Sequence, residues 1–375
     1  LAASTAGSLV GTFATTYWVL PTLGIARTFA ASGVVLAVLG ACVLVGARRR
    51  AAATALVVLA AIAEGSLARG GSGPRPGEGW TVLDAAESRY QSLRVVEGED
   101  AGRKMRRLQV NEGFDSFQSV WQEQPGLLPD GYYYNLFALP PWWSGGKGTW
   151  RVCVLGLGAG TAWRVIEGAL PPERRLEAVG AEIDPDVVAM GAKWFDLPHG
   201  REDRRVLAGW DARVALDASR GSFDEIVLDA YANQMEIPEH LCSKEFFEDV
   251  RRALSPDGWL CINVGGFGLR DPVVEAVATT AATAFGARLL AVRVPFSRNC
   301  VLFVRAGAEP PEPGAAGWSV GDATLSAKLL ALAVPGASRW FAPGSGTVLT
   351  DDHNPVAALQ RDSVEHGKER WLSSP

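Results

Sequence analysis

The sequence predicts an α/β protein: a seven-stranded, doubly wound sheet behind a small antiparallel β subdomain, with apolar helices ahead of both. Three observations predict it. From Trp150 onward short apolar strands alternate with helical stretches, residues 80–145 hold short alternating runs, and residues 1–47 carry Arg27 as their one charged side chain.

The glycine-loop strand Arg151-Val152-Cys153-Val154-Leu155 opens the alternation, followed by 177–181, 205–207, 225–228, 259–264, 288–294 and 300–305. The last two read as an antiparallel hairpin that closes the sheet. Strand one leads into Gly156-Leu157-Gly158-Ala159-Gly160-Thr161, where glycines let the backbone turn against a ligand and Thr161 to Leu170 starts a helix. Glu182 ends the second strand, roughly 20 residues on, where a carboxylate can accept both ribose hydroxyls. This is a Rossmann-like, nucleoside-binding half-domain.

The chain has 375 residues, 48% of them hydrophobic, enough for two or three structural units. Residues 1–70 hold five arginines against Glu64, a balance of +4, so the net charge of −5 leaves −9 for the remainder. That acidity disfavours nucleic acid as a partner and suits a cationic small molecule. Five scattered cysteines without Cys-x-x-Cys read as small core residues in a reducing compartment. The four histidines stand far apart, and no metal is expected.

Residues 1–69 read as two or three transmembrane helices: 1–26, 28–47 and a shorter stretch from Ala51 to Ala63. The Gly7 and Gly11 pair and the Gly33, Ala37, Ala41 series suit close helix packing, or reflect composition alone. A chain that starts at Leu1 with a helix suggests the end of a longer membrane domain. Arg48-Arg49-Arg50 would lie on the cytoplasmic side, which conflicts with a third span if the nucleoside-binding part is also cytoplasmic. The expected location is an inner membrane with that part in the cytoplasm. Residues 70–79 form the linker, 80–145 the antiparallel subdomain and 146–375 the Rossmann-like domain.

Further motifs make the pattern specific. They are Glu87-Ser88-Arg89-Tyr90-Gln91, Gln118, Tyr132-Tyr133-Tyr134, Glu182-Ile183-Asp184-Pro185, Asp211-Ala212, Asp229-Ala230-Tyr231, Ile237-Pro238-Glu239-His240-Leu241 and Leu349-Thr350-Asp351-Asp352. In this order they resemble the spermidine synthase (polyamine aminopropyltransferase) family, on the S-adenosylmethionine-dependent methyltransferase fold, and in particular its membrane-fused bacterial members. The resemblance covers roughly residues 80–360.

The resemblance implies an aminopropyl transfer from decarboxylated S-adenosylmethionine to an amine acceptor, a polyamine precursor. Asp229 is then the catalytic base. Gly156, Gly158, Gly160, Glu182, Asp184, Asp211, Ala212 and Gln91 bind the cofactor, while Tyr132, Tyr231, Gln118 and Glu236 line the acceptor side. A homodimer is the assembly it admits. Two positions depart from the family: Ala159 replaces a loop aspartate that holds the donor's amine, and Ala232 replaces a second aspartate that positions the diamine. S-adenosylmethionine-dependent methyl transfer and a non-catalytic nucleoside or polyamine sensor or transporter accessory domain therefore stand as alternatives. Glu236, Glu239 or Asp351 and Asp352 are stand-in amine anchors or solvated charges. Tyr132 to Tyr134 with Trp142 and Trp143 either wall a cation pocket or pack a junction.

Overall fold

A computed structural model describes residues 2–46, 54, 58, 77–110, 117–198, 200–219, 223–232, 236–314 and 318–373. The arginine triplet, most of the third apolar stretch and residues 70–76 of the expected linker lie outside them. The chain forms two compact units, Leu1–Glu97 with Leu108–Phe117, and Gly98–Arg107 with Gln118–Pro375.

In the first unit the uncharged N-terminal residues form helices α1 (Ala2–Ala14) and α2 (Leu20–Gly46), with a π-helical turn over Thr15–Val19. Gly24 leaves helical geometry inside α2 (φ 76, ψ 173). Among the described residues no helix is long and apolar enough to cross a membrane, so the expected transmembrane helices are not supported. The 13 residues of α1 fall short of the roughly 20 that a span takes, Thr15–Val19 is wound as a π-helix, and the helical path breaks at Gly24. Large apolar side chains such as Phe13, Trp18, Phe29, Leu36 and Val43 are nonetheless exposed. A methyl group added at Gly7, Gly11 or Gly33 would meet nothing, so these small residues serve no helix packing among the described residues.

Strands β1 (Thr81–Glu87), β2 (Ser92–Asp100), β3 (Arg103–Val110) and β4 (Ser119–Gln122) form a four-stranded sheet in that order. The turn into β2 is fixed locally, Ser88 Oγ accepting the Tyr90 and Gln91 N–H groups.

The second unit holds a short helix α3 (Pro140–Ser144) and then the large sheet, whose strands are β5 (Gly148–Leu155), β6 (Arg174–Glu182), β7 (Arg204–Ala208), β8 (Phe223–Leu228), β9 (Leu254–Gly265), β10 (Leu289–Arg293), β11 (Asn299–Arg305) and β12 (Ser338–Phe341). Their order is β12-β10-β11-β9-β8-β5-β6-β7. Strands β5 to β9 run parallel and β10 to β12 antiparallel. The eight strands are the seven expected plus β12, an edge strand of four residues with Phe341 alone buried. Val152–Leu155, Ile226–Leu228 and Leu260–Val264 are almost wholly buried, as parallel strands covered on both faces must be. Helices α4 (Thr161–Gly168), α5 (Pro185–Trp194), α6 (Ala212–Ala218), α7 (Lys244–Ala253) and α8 (Pro272–Phe285) supply the covers, followed by α9 (Ala323–Leu332) and α10 (Val356–Ser373).

The topology locates the site. From β5 the chain steps to β6 and β7 on one side, and β8 and β9 on the other, so the strand order reverses between β5 and β8. A crevice at the carboxyl ends of the strands is expected at such a reversal.

Candidate active site

The glycine loop and Asp229 flank that reversal. The Asp229 N–H donates to Leu155 O at 2.8 Å, tying the end of β8 to the end of β5. Gly156 has φ 88, and a Cβ there would lie 2.4 Å from Asp229 O, so a side chain is excluded. Gly158 has φ 55, and a Cβ on it would strike Ser119 Oγ at 2.5 Å. Ser119 Oγ instead accepts the buried Ala159 N–H at 2.8 Å. Gly160, at φ 91, starts α4.

Glu182 ends β6 beside this loop. Its carboxylate accepts the Gly158 N–H at 2.8 Å and the Asp184 N–H at 3.1 Å. Burial raises its pKa against those two bonds. Asp184 is fully buried and caps α5, its Oδ1 accepting the Asp186 N–H at 3.0 Å, which is a structural use of that carboxylate. Asp211 caps α6 through the Arg213 and Val214 N–H groups, and its Oδ2 lies 2.9 Å from His240 Nε2. Burial acts to raise the Asp211 pKa, but the His240 bond and the two N–H groups outweigh it and the net shift is downward. Buried Ala212 follows.

Among the expected carboxylates, Asp229 has the most perturbed environment. Its carboxylate accepts the Tyr133 hydroxyl at 3.0 and 3.2 Å and the Asn263 amide at 2.8 Å. Burial lifts its pKa to about 7; the Asn263 and Tyr133 bonds oppose the rise and the charge of Glu182 adds to it. A carboxyl poised near neutrality can exchange a proton with a reacting group, so this arrangement suits a general base.

The other expected residues divide. Tyr132 points into an ion pair, donating to Asp100 Oδ2 at 2.6 Å and accepting from Arg107 at 2.9 Å. Burial, then the Asp100 bond, pushes its pKa up to about 12. The Tyr231 hydroxyl donates to Asn263 O and accepts the Gly265 N–H, so it is spent on backbone at the end of β9. The Gln118 backbone carbonyl accepts the Tyr134 hydroxyl. Glu236 is exposed and forms a β-bridge with Ala232, the position of the missing second aspartate. Gln91 belongs to the first unit.

Asp351 is no free charge: Arg213 grips both of its oxygens, at 2.9 and 2.8 Å, and holds its pKa down. Trp142 donates to Ala169 O, and Trp143 packs against Trp259, Phe303 and Trp318, so these indoles serve packing. Among the described residues no cluster of three or more metal-ligating side chains occurs.

Tyr133, rather than the expected Tyr132, reaches Asp229, and Asn263 and Ser119 join the site without belonging to any of the motifs. A polar residue inside the apolar run Trp259–Val264 was the available signal for Asn263.

No family model matches the chain. It is 28% identical over 267 residues to a probable polyamine aminopropyl transferase of Bifidobacterium longum, covering 66% of this chain and 56% of that one. Over 113 residues it is 33% identical to the polyamine aminopropyltransferase of Chromobacterium violaceum, covering 30% of this chain and 41% of the relative. The chain thus spans about half the length of the curated relatives it matches. Its fold is similar to that of a probable spermidine synthase from Corynebacterium glutamicum, with a TM-score of 0.53, 17% identity, and coverage of 72% of this chain and 96% of that one. In sequence the chain is thus similar to members of the spermidine synthase / polyamine aminopropyltransferase family, and in fold to a probable spermidine synthase.

Proposed function

We propose that the protein is an aminopropyltransferase of the spermidine synthase type, moving an aminopropyl group from decarboxylated S-adenosylmethionine to an amine, with Asp229 as base. The observation that carries it is the buried, near-neutral Asp229 carboxyl beside the glycine loop at the strand-order reversal. The relatives' names support the reaction class.

The site residues fit the donor. Glu182 ends β6 and Asp211 follows the neighbouring β7, where their carboxylates suit ribose hydroxyls and an adenine amino group. The donor, when bound, supplies a sulfonium leaving group, so the protein needs alignment and a proton acceptor more than further activation. An ammonium has no lone pair. Asp229 takes a proton from the acceptor amine as its nitrogen bonds to the aminopropyl carbon; the carbon–sulfur bond breaks, and its electron pair stays on sulfur. Tyr133 and Asn263 hold the carboxylate in place for that transfer.

Two finer elements belong to the proposal. The exposed apolar side chains of α1 and α2 support attachment to a membrane, and we place the second unit on the cytoplasmic side because a nucleoside donor is a cytoplasmic metabolite. A second reaction, methyl transfer from intact S-adenosylmethionine, is favoured by Ala159, which puts no carboxylate against that donor's own.

Asp229→Asn tests the base. It keeps the shape and the acceptor for Asn263, so turnover should fall by roughly 10²–10⁴-fold with methylthioadenosine binding little changed. Turnover like that of the unmodified protein, with any acceptor that proves active, removes Asp229 from the mechanism.

A further inference from the structure

Behind Asp229 lies a chain of hydrogen bonds that runs in one direction. The Ser297 hydroxyl donates to Asn299 Oδ1 at 2.6 Å. The Asn299 amide donates to Asn263 Oδ1 at 2.8 Å, and the Asn263 amide donates to Asp229 Oδ1 at 2.8 Å. Each carbonyl is occupied by the preceding donor, so each NH2 must face the next acceptor. Reversing Asn263 would set its carbonyl oxygen against the carboxylate and leave two acceptors without a proton between them.

The chain is built into the fold at both ends. Asn263 sits at 3% exposure in β9, paired across the sheet with Val301. Ser297 lies in the β10–β11 turn, which is closed by Val294 N–H to Asn299 O at 3.0 Å. That turn holds Phe296 at φ 58, a left-handed conformation rarely taken by a bulky residue.

The geometry points to Asn263 as a positioning residue for the base: Ser297 and Asn299 fix its amide so that an N–H faces Asp229, orienting the carboxylate and favouring its ionised form. The inference rests on the reading of Asp229 given above, and it adds the β10–β11 turn to the parts that set the site's proton affinity. The other titratable groups about Asp229 are Tyr133 and Tyr134 from the 3-10 turn Tyr133–Ala138, Glu182 from β6, and Tyr231 after β8. None of them lies in this chain, so their contributions stay constant when it is cut.

The test reads Asp229 directly, without turnover. Infrared titration of the full chain follows the protonated carboxyl C=O stretch between about pH 5 and pH 9, and the Asp229 band is identified by its loss in Asp229→Asn. Removing a hydrogen bond to the charged form should move the midpoint up by about one pH unit in Asn263→Ala. Asn299→Ala should move it in the same direction by less, and Ser297→Ala, at a half-buried turn position, by less again. A purely structural role predicts lower thermal midpoints with the band unmoved. Failure of any band to disappear in Asp229→Asn, or a midpoint unmoved in both Asn299→Ala and Ser297→Ala, overturns the inference. Turnover of Asp229→Asn decides the base assignment separately.

Discussion

Replacing Glu182 tests the nucleoside pocket, and the structure sets the size of the effect. The carboxylate already accepts the Gly158 and Asp184 N–H groups, so a bound ribose would add its two hydroxyls to an acceptor oriented in advance. A hydrogen bond to a charged group contributes about 1.5–3 kcal/mol. Losing even one corresponds to roughly a 10- to 150-fold weaker dissociation constant, and losing both to more. Glu182→Ala also deprives the Gly158 N–H of its acceptor, which could loosen the loop rather than delete a ligand contact. A thermodynamic cycle separates the two effects. Calorimetry is run with methylthioadenosine and with its 2′-deoxy analogue, on the unmodified protein, Glu182→Gln and Glu182→Ala. If Glu182 binds the ribose, the mutation costs the deoxy ligand distinctly less than the ribose ligand, and Glu182→Gln falls between the other two. Equal losses for both ligands would assign Glu182 to loop support alone, and unchanged methylthioadenosine affinity would refute the pocket.

Two further outcomes are expected. Glu225 is fully buried, bonded to Trp150 Nε1 at 2.9 Å, and burial raises its pKa to about 8. Because the folded pKa lies above the unfolded value near 4.3, the folded chain holds a proton that the unfolded chain has lost; stability should fall as pH rises from about 4 to 8, by up to a few kcal/mol. In Glu225→Gln the urea midpoint should depend on pH less steeply over that window, and an unchanged slope would contradict the assignment. Deleting residues 1–46 should abolish flotation of the protein with phospholipid vesicles, since the exposed apolar residues of α1 and α2 are removed. Retained flotation would place membrane attachment elsewhere.

Where the sequence spoke through periodicity it was legible. The seven strands, their alternation with helices and the glycine loop follow from apolar runs of the right length, because a parallel strand covered on both faces cannot hide its composition. β12 was not legible, being four residues long at an edge with little burial to constrain them. At the site, carboxylates at strand ends could be read from spacing, but not their local duties. Asp184 and Asp211 cap helices, and capping depends on backbone N–H groups that every sequence possesses. The choice of Tyr133 over Tyr132 turns on the 3-10 turn Tyr133–Ala138, which aims adjacent side chains at different partners. The N-terminal helices show the opposite limit: composition gave apolarity, yet the π-helical turn and the break at Gly24 leave no trace in hydropathy.

Aminopropyl transfer is read out by the thioether that the reaction releases. The purified protein is given decarboxylated S-adenosylmethionine and S-adenosylmethionine in separate reactions, each with a panel of amines, and the products are identified by mass spectrometry. An aminopropyltransferase yields methylthioadenosine together with an acceptor one aminopropyl group heavier, formed from the decarboxylated donor and lost in Asp229→Asn. S-adenosylhomocysteine with a methylated acceptor, formed from the intact donor alone, would contradict aminopropyl transfer and make the protein a methyltransferase.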